Sequence, residues 1–332
     1  MKVYHSPAEV PGDFGPSAVT IGNFDGVHIG HREIMRRVVA IAKEQGLTST
    51  VLTFDPHPAR VLAPDRAPKL ITTVAQRLRR LEEEGIGAAL LLPFSLEFAA
   101  LSPEEFVEQI LMGTLKARGV LVGEDFRFGF RQSGNIGTLR ELGERFGFEL
   151  RPVPAILGHG ERISSSRIRE LVSAGRVSKA CRILGTPFAL EGRVVSGKGI
   201  GSKETVPTLN LAPENELLPK TGVYVTRTRD ESSERVWRSI TNVGYRPTFV
   251  DVRREGEGLT VETFLLDPPP EAAPARIEVA FLSYVRAERK FDSPALLKAQ
   301  ILRDVGAAQR FHRFIERAGY NRVQPKSNYK EK

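Results

Sequence analysis

Cysteine is almost missing from this sequence. Cys181 stands alone among 332 residues, which excludes an intrachain disulfide and any cysteine-built metal cage. Long apolar runs are missing too: none approaches the ~20 residues of a membrane-crossing helix. The first residues, Met1-Lys2-Val3-Tyr4-His5, lack the apolar centre of an export signal. These absences make a cytoplasmic protein without membrane association the expectation. There is no basic block either. The net charge of +8, from 48 basic and 40 acidic residues, is spread along the chain. The pairs Arg36-Arg37 and Arg79-Arg80 fall in helix-like segments and are expected on solvated faces. Scattered positive charge suits a polyanionic small substrate, and no nucleic-acid partner is expected. Histidine is scarce, with six in all. Two of the six, His28 and His31, nevertheless stand three residues apart in "GNFDGVHIGH".

The first half alternates strand and helix patterns. Apolar strand runs fall at 17–21, 48–54, 87–92, 118–122 and 148–153, and helical periodicity at 31–45, 73–84, 102–112 and 136–146. Ser102, Pro103 and Glu105 write a capping box at the start of the third helix. Ile34, Val38 and Ile41 or Ala42 form the expected apolar stripe of the first. Short apolar strands alternating with helices imply a parallel sheet covered on both faces, of Rossmann-like α/β class. Two short helices are expected within 167–184, and Gly185-Thr186-Pro187 then breaks the chain. Beyond it come strand runs with no helix between them: 188–195, 223–228, 237–243, 259–266 and 276–285. They predict an antiparallel sheet or small β-barrel. A last helix over 293–317 should carry Leu296, Leu297, Ile301 and Phe311 on its apolar stripe, followed by a disordered tail, 321–332. The domains are therefore expected at 1–186 and 187–320.

A helix that starts just past a strand offers unpaired backbone N–H groups and a partial positive charge, a ready phosphate site. Gly26 and Gly30 let a ligand approach the backbone, and His28 and His31 can donate to phosphate oxygens. The alternatives are a zinc site, for which no third ligand lies nearby, and plain core packing. "ISSSRIR" at 163–169 adds three hydroxyls at a helix start and two arginines. Alone these could be caps; beside the histidine turn they can complete a cradle for a triphosphate.

The paired-histidine and serine words together resemble the nucleotidyltransferase superfamily. "TFDPHP" at 53–58 and "GEDFRFG" at 123–129 resemble the flavin-side motifs of prokaryotic FAD synthetases. The resemblance implies that Gly22, Asn23, Phe24, His28, His31, Ser164, Ser165, Ser166 and Arg169 hold ATP, and that His57 and Asp125 lie on the flavin side. Asp125 stands where many relatives have asparagine.

A second set of words lies in the C-terminal half. In "GKGIGSKETVPTLN" at 197–210 the glycine, lysine and hydroxyl order is not that of a P-loop. Thr208 and Asn210 are alternate residues of an extended chain and face one side, as two neutral oxygen ligands for Mg²⁺ would; a plain polar sheet face is the alternative. In "VETFLLD" at 261–267, Glu262 sits amid apolar residues and needs a partner or a task. With "GYRPTF" at 244–249, these words resemble the riboflavin kinase module. By that resemblance Gly197, Lys198 and Gly199 cover ATP, Thr208 and Asn210 hold Mg²⁺ and nucleotide, and Glu262 is the base that activates riboflavin. Thr205, Val206 and Phe264 depart from the usual pattern. The resemblance thus implies one chain that makes FMN from riboflavin and FAD from FMN, using ATP and Mg²⁺. The rivals are a nucleotidyltransferase for another phosphate and a non-catalytic RNA-binding protein, and both leave "PTLN" and "VETFLLD" unexplained.

Overall fold

A computed structural model describes residues 1–158, 161–195, 208–245, 259–268 and 272–319. The loop words at 196–207, including Gly197, Lys198, Gly199, Thr205 and Val206, lie outside the described residues, as do 246–249 of "GYRPTF" and the tail 321–332. The chain divides into two compact units, Met1–Ser165 and Ser166–Lys332.

The first unit runs β1 (Lys2–Tyr4), β2 (Ser17–Ile21), α1 (Ile29–Gln45), β3 (Thr48–Phe54), α2 (Pro58–Leu62), α3 (Val74–Glu83), β4 (Ala88–Leu92), α4 (Leu96–Ala99), α5 (Pro103–Phe106), β5 (Ala117–Gly123), α6 (Ile136–Phe146) and β6 (Glu149–Val153), then a small ribbon of β7 (Leu157–Gly158) and β8 (Glu161–Arg162). Strands β1 to β6 make one parallel sheet in the order β1-β4-β3-β2-β5-β6. Both faces are buried, because alternate residues of β2 enter different clusters. Val19 and Ile21 pack with Leu90, Leu111 and Val120, while Ala18 packs with Met35, Val38 and Leu81. The expected capping box is formed: Ser102 Oγ accepts from Glu105 N at 3.2 Å, and Glu105 Oε2 from Ser102 N at 2.8 Å. That helix continues as a π-helix over Val107–Thr114, two residues past the expected end. Helix α1 stops where Gly46 turns left-handed at φ 65° and donates to Ala42 O. Its buried stripe is Met35, Val38, Ile41 and Ala42; Ile34, expected in the core, is half-buried and lines a cavity instead.

The second unit holds α7 (Ser165–Ser173, starting from the last residue of the first unit), α8 (Val177–Leu184), β9 (Phe188–Val195), β10 (Leu209–Pro213), β11 (Gly222–Asp230), β12 (Val236–Tyr245), β13 (Leu259–Leu265), β14 (Arg276–Arg286) and α9 (Pro294–Arg317). The six strands close into an antiparallel barrel in the order β10-β13-β12-β11-β14-β9. Helix α8 packs on β9 and β14. The barrel interior is filled at one end by Phe188, Tyr224 and Phe281. Further along, hydroxyls bond one another in a chain: Thr228 to Ser239 to Thr226 to Thr241 to Thr263, each link 2.8–2.9 Å. Threonine's β-branched shape fits a strand, and each buried hydroxyl finds its partner in the next.

Helix α9 lies on the outer face of β11 and β12. It presents Val305, Ala308 and Phe311 to Val223, Val225, Ile240 and Phe264. Leu296 and Leu297, expected on this stripe, are 52% and 37% exposed. An ion pair decides which face turns inward: Arg286 Nε and Nη2 donate to Asp304 Oδ2 at 2.9 and 2.7 Å, and Asp304 is buried. Gln300, one turn earlier, donates to Asp304 Oδ1 at 2.7 Å. Trp237, the single tryptophan, is buried in the same barrel and reports on it alone. Asp304→Ala strands the Arg286 charge beneath the helix. It should lower the unfolding free energy of the barrel by about 3 kcal/mol, read from Trp237 fluorescence in urea.

Candidate active sites

The turn from β2 to α1 has a backbone that few side chains tolerate. Phe24, Gly26 and Val27 have φ of 48°, 87° and 44°. A β-branched residue at positive φ is an outlier, and such positions cost on the order of 1–3 kcal/mol each. Asp25 anchors the turn. Its buried carboxylate accepts from Ile71 N at 3.0 Å, from Thr72 N at 3.1 Å and from the Thr72 hydroxyl at 3.2 Å. The same hydroxyl accepts from Gly26 N at 3.3 Å.

His28 is the N-cap of α1: its Nδ1 accepts from His31 N at 3.2 Å. An accepting Nδ1 places the ring proton on Nε2, which is then free to donate. The His31 ring stacks on that of His28, with centroids 3.6 Å apart, and meets the edge of Phe24 at 5.1 Å. Gly30 permits this pairing, since a Cβ there would sit 3.2 Å from the His28 ring.

This turn forms one wall of a cavity of about 1130 Å³. Gly22, Asn23, Phe24, His28, Gly30 and His31 contribute to that wall, with Ser164 and Ser165. The remainder is bordered by Asp125 and by phenylalanines that include Phe54, Phe98, Phe126 and Phe128. The cavity opens beyond the C-terminal ends of β2, β3, β5 and β6. Between β2 and β5 the chain reverses its direction of travel across the sheet, which is where ligands bind in such folds. His57 does not line the cavity: it caps α2, accepting from Ala59 N at 3.1 Å, and Pro58 and Leu62 line the wall there. Ser166 and Arg169 belong to the second compact unit.

In the barrel, strand register brings three polar residues into one row. Glu262 on β13 stands directly opposite Asn210 on β10 and Asn242 on β12. All three are half-buried and alternate with buried residues that point into the barrel, so the row lies on its outer face. A hollow of about 300 Å³ borders it, lined by Asn210, Thr260 and Val195 among others. Thr208, just before β10, is exposed. Two residues along β13 on the same face, Phe264 joins the apolar cluster under α9. Among the described residues there is no group of three or more His, Cys, Asp or Glu that could cage a metal.

A family model for FAD synthetase matches residues 11–167, and one for riboflavin kinase matches residues 184–312. The bifunctional riboflavin kinase/FMN adenylyltransferase of Escherichia coli K12 is 34% identical over 88% of this chain and 92% of its own length. That of Bacillus subtilis is 34% identical over 89% and 92%. The chain belongs to the bifunctional riboflavin kinase/FMN adenylyltransferase family. It is an enzyme with two activities: the C-terminal domain phosphorylates riboflavin to FMN with ATP, and the N-terminal domain adenylylates FMN to FAD with ATP, releasing pyrophosphate. The crystal structure of a macrolide-efflux protein from Streptococcus pneumoniae has a TM-score of 0.81 and 28% identity, covering 92% of this chain and 98% of that one. Among the described residues of this family member, no helix is long and apolar enough to cross a membrane.

Sequence reasoning missed the phenylalanine wall of the N-terminal cavity. The alternation Phe126-Arg127-Phe128-Gly129-Phe130 was its available signal. It also misjudged Arg79-Arg80 as a solvated pair: Arg80 Nη1 donates to Gly26 O at 2.9 Å.

Burial pulls the His28 pKa down to about 4, against smaller opposing effects of its backbone hydrogen bond and the Asp25 charge. Burial, and then the neighbouring His28, lower His31 as well. Both rings are therefore neutral at pH 7 and act as hydrogen-bond donors or acceptors, not as cations. An unfolded histidine titrates near 6.5, so between that pH and about 4 the unfolded chain binds more protons than the native one. Stability contributed by neutral His28 is complete above pH 6.5 and is lost as pH falls towards 4, by on the order of 3 kcal/mol. His28→Asn keeps a capping acceptor and should flatten that slope, as read from hydrogen-exchange protection of α1 amides against pH.

Proposed function

We propose that adenylyl transfer takes place in the cavity walled by the strained turn, and phosphoryl transfer at the row of Asn210, Glu262 and Asn242. The observation that carries the first assignment is the stacked pair of buried His28, the cap of α1, and half-buried His31 inside a cavity large enough for two substrates. At about 1130 Å³ it exceeds the ~1,000 Å³ upper end of pockets for one drug-sized ligand.

In this reading the ATP phosphates lie against Gly22, Asn23, Phe24 and the start of α1, with Ser164 and Ser165 as further nucleotide contacts. The flavin ring lies among the phenylalanines near Asp125 and the segment of His57. The FMN phosphate oxygen attacks the α-phosphorus of ATP, a P–O bond forms, and the bond to pyrophosphate breaks. No protein base is required, because a phosphate is already ionised. The protein aligns the reactants and donates hydrogen bonds to developing charge, His28 through Nε2–H. Ser165 Oγ donates to Asp25 O at 2.8 Å, which supports a role for it in bracing the turn.

At the barrel the attacking group is a ribityl hydroxyl, which must lose its proton. Glu262 is the carboxylate in the row that can accept it. Thr208 and Asn210 offer neutral oxygens, and the lack of an acidic or imidazole cage among the described residues fits a metal held mainly by phosphates and water. Mg²⁺ bound there supplies charge neutralisation on the ATP phosphates; Gly197, Lys198 and Gly199 belong to the same proposed nucleotide site. The domain assignment, 1–186 for adenylyl transfer and 187–320 for phosphorylation, is supported by family models that end at 167 and begin at 184. Helices α7 and α8 belong to the second compact unit. Both reactions consume ATP, which supports a cytoplasmic location.

The two sites should fail independently. His28→Asn or His31→Ala should slow FAD formation by about 10²–10³-fold while FMN formation continues. Glu262→Gln keeps the shape and removes the basicity, and should slow riboflavin phosphorylation by about 10²–10⁴-fold with FAD synthesis from supplied FMN unchanged. Thr208→Ala should instead raise the Mg²⁺ requirement. Chromatographic separation of riboflavin, FMN and FAD reads all of these; equal loss of both activities in a folded variant would sink the assignment.

A further inference from the structure

From Asn23 to His28 every backbone oxygen of the strained turn has a donor. Asn23 O accepts from Arg77 Nη1 at 2.9 Å and from the Thr53 hydroxyl at 3.2 Å. Phe24 O accepts from Val27 N at 3.1 Å, and Asp25 O from Ser165 Oγ at 2.8 Å. Gly26 O accepts from Arg80 Nη1 at 2.9 Å, Val27 O from Arg32 Nε at 3.2 Å and His28 O from Arg32 N at 3.0 Å. Six successive carbonyls thus have donors, and three of the donors are guanidinium groups. Two of these, Arg77 and Arg80, come from α3, and the segment that leads into α3 supplies Ile71 N and Thr72 to the Asp25 carboxylate.

This arrangement answers two physical demands. Backbone in sparsely populated regions persists only where its surroundings over-determine it, and the turn is held from β3, α1 and α3. A carbonyl oxygen facing a phosphate would repel it; a carbonyl whose lone pair is engaged by an arginine on the α3 side is not available to do so. Buried guanidinium also places positive charge behind the turn, offset in part by Asp25 and Asp55 near Arg77 and by Glu84 at Arg32. Arg77 is 4% exposed, and Arg32, at 6%, is paired with Glu84 at 3.1 Å. The histidines in the cavity are neutral, so this remote charge is the cationic part of the turn.

We propose that α3, through Arg77 and Arg80, holds the turn in its anion-binding shape, so that these two arginines are positioning residues for ATP in adenylyl transfer. The proposal rests on the reading that the ATP phosphates bind at this turn. Neither arginine need touch substrate: each acts through a backbone oxygen, Asn23 O or Gly26 O.

The test uses the full-length enzyme with Arg80→Met and Arg80→Lys. Arg80 is half-buried, so methionine keeps its packing stem and removes the charged donor. A hydrogen bond to a charged group is worth enough for about a tenfold change in binding. The expected result is a KM for ATP in FAD synthesis raised about tenfold, with KM for FMN unchanged. Lysine should restore most of the affinity, and riboflavin phosphorylation by the same chain should be unaltered. Thr53→Val, which removes one of two donors to Asn23 O, should shift the ATP KM in the same direction by less. A fall in kcat with both KM values unmoved would mean only a loss of active protein and would overturn the proposal, as would a rise in the FMN KM alone. His31→Ala separates the two readings. If it cripples FAD synthesis while Arg80→Met leaves the ATP KM unmoved, the α3 proposal fails by itself. If His31→Ala also leaves FAD synthesis untouched, the placing of ATP at this turn fails.

Discussion

At the turn proposed to bind ATP, a polyanion must be met by positive potential where water is scarce, and the first unit offers it without a charged side chain at the turn's surface. Burial keeps His28 and His31 neutral, so potential has to come from the α1 N-terminus and from guanidinium groups behind the backbone. That requirement explains the local architecture. The turn is strained because it wraps the helix start; Asp25 is buried because it ties the turn to Ile71 and Thr72; and α3 carries buried arginine because the turn's carbonyls need donors. The parallel sheet serves the same end, since it places the turn and Asp125 just past the ends of neighbouring strands, at the switch point between β2 and β5.

The barrel solves a different problem. In the proposed phosphoryl transfer a hydroxyl nucleophile needs an acceptor, and a lone carboxylate in a core would be costly. Closing the sheet directs the barrel's hydroxyls inward, where they satisfy one another, and leaves Glu262 on the outer face between two asparagines. The neighbouring part of that face is sealed by α9 over Ile240 and Phe264. One face therefore carries both an apolar seam and a polar row, divided along β13 between Phe264 and Glu262. Phe264, a departure from the usual pattern, is accounted for by that seam.

Much of the molecule was legible in the chain. Strands at 17–21 and 48–54 and the helix at 136–146 match the structure to the residue, because short β-branched runs and capped, periodic segments are local signals. The words around His28, Asp125, Asn210 and Glu262 were legible because each is a compact stretch whose chemistry is unusual for its surroundings. The errors share one cause. Arg80 looked solvated because a charged residue on a helix carries no mark of the carbonyl it will meet 54 positions away. Leu296 and Leu297 looked buried because an apolar stripe does not say which of its residues a partner will cover.

What the sequence by itself determined is the kind of protein: an α/β half and an all-strand half, each with its own chemical words, since periodicity and local residue type suffice for that. Only the tertiary structure decided how those words act. Burial made the two histidines neutral, register set Glu262 between Asn210 and Asn242, and packing brought Arg77 and Arg80 to the carbonyls of residues 23 and 26. Burial, register and long-range hydrogen bonds depend on which distant segments meet, and no local stretch of chain encodes that meeting on its own.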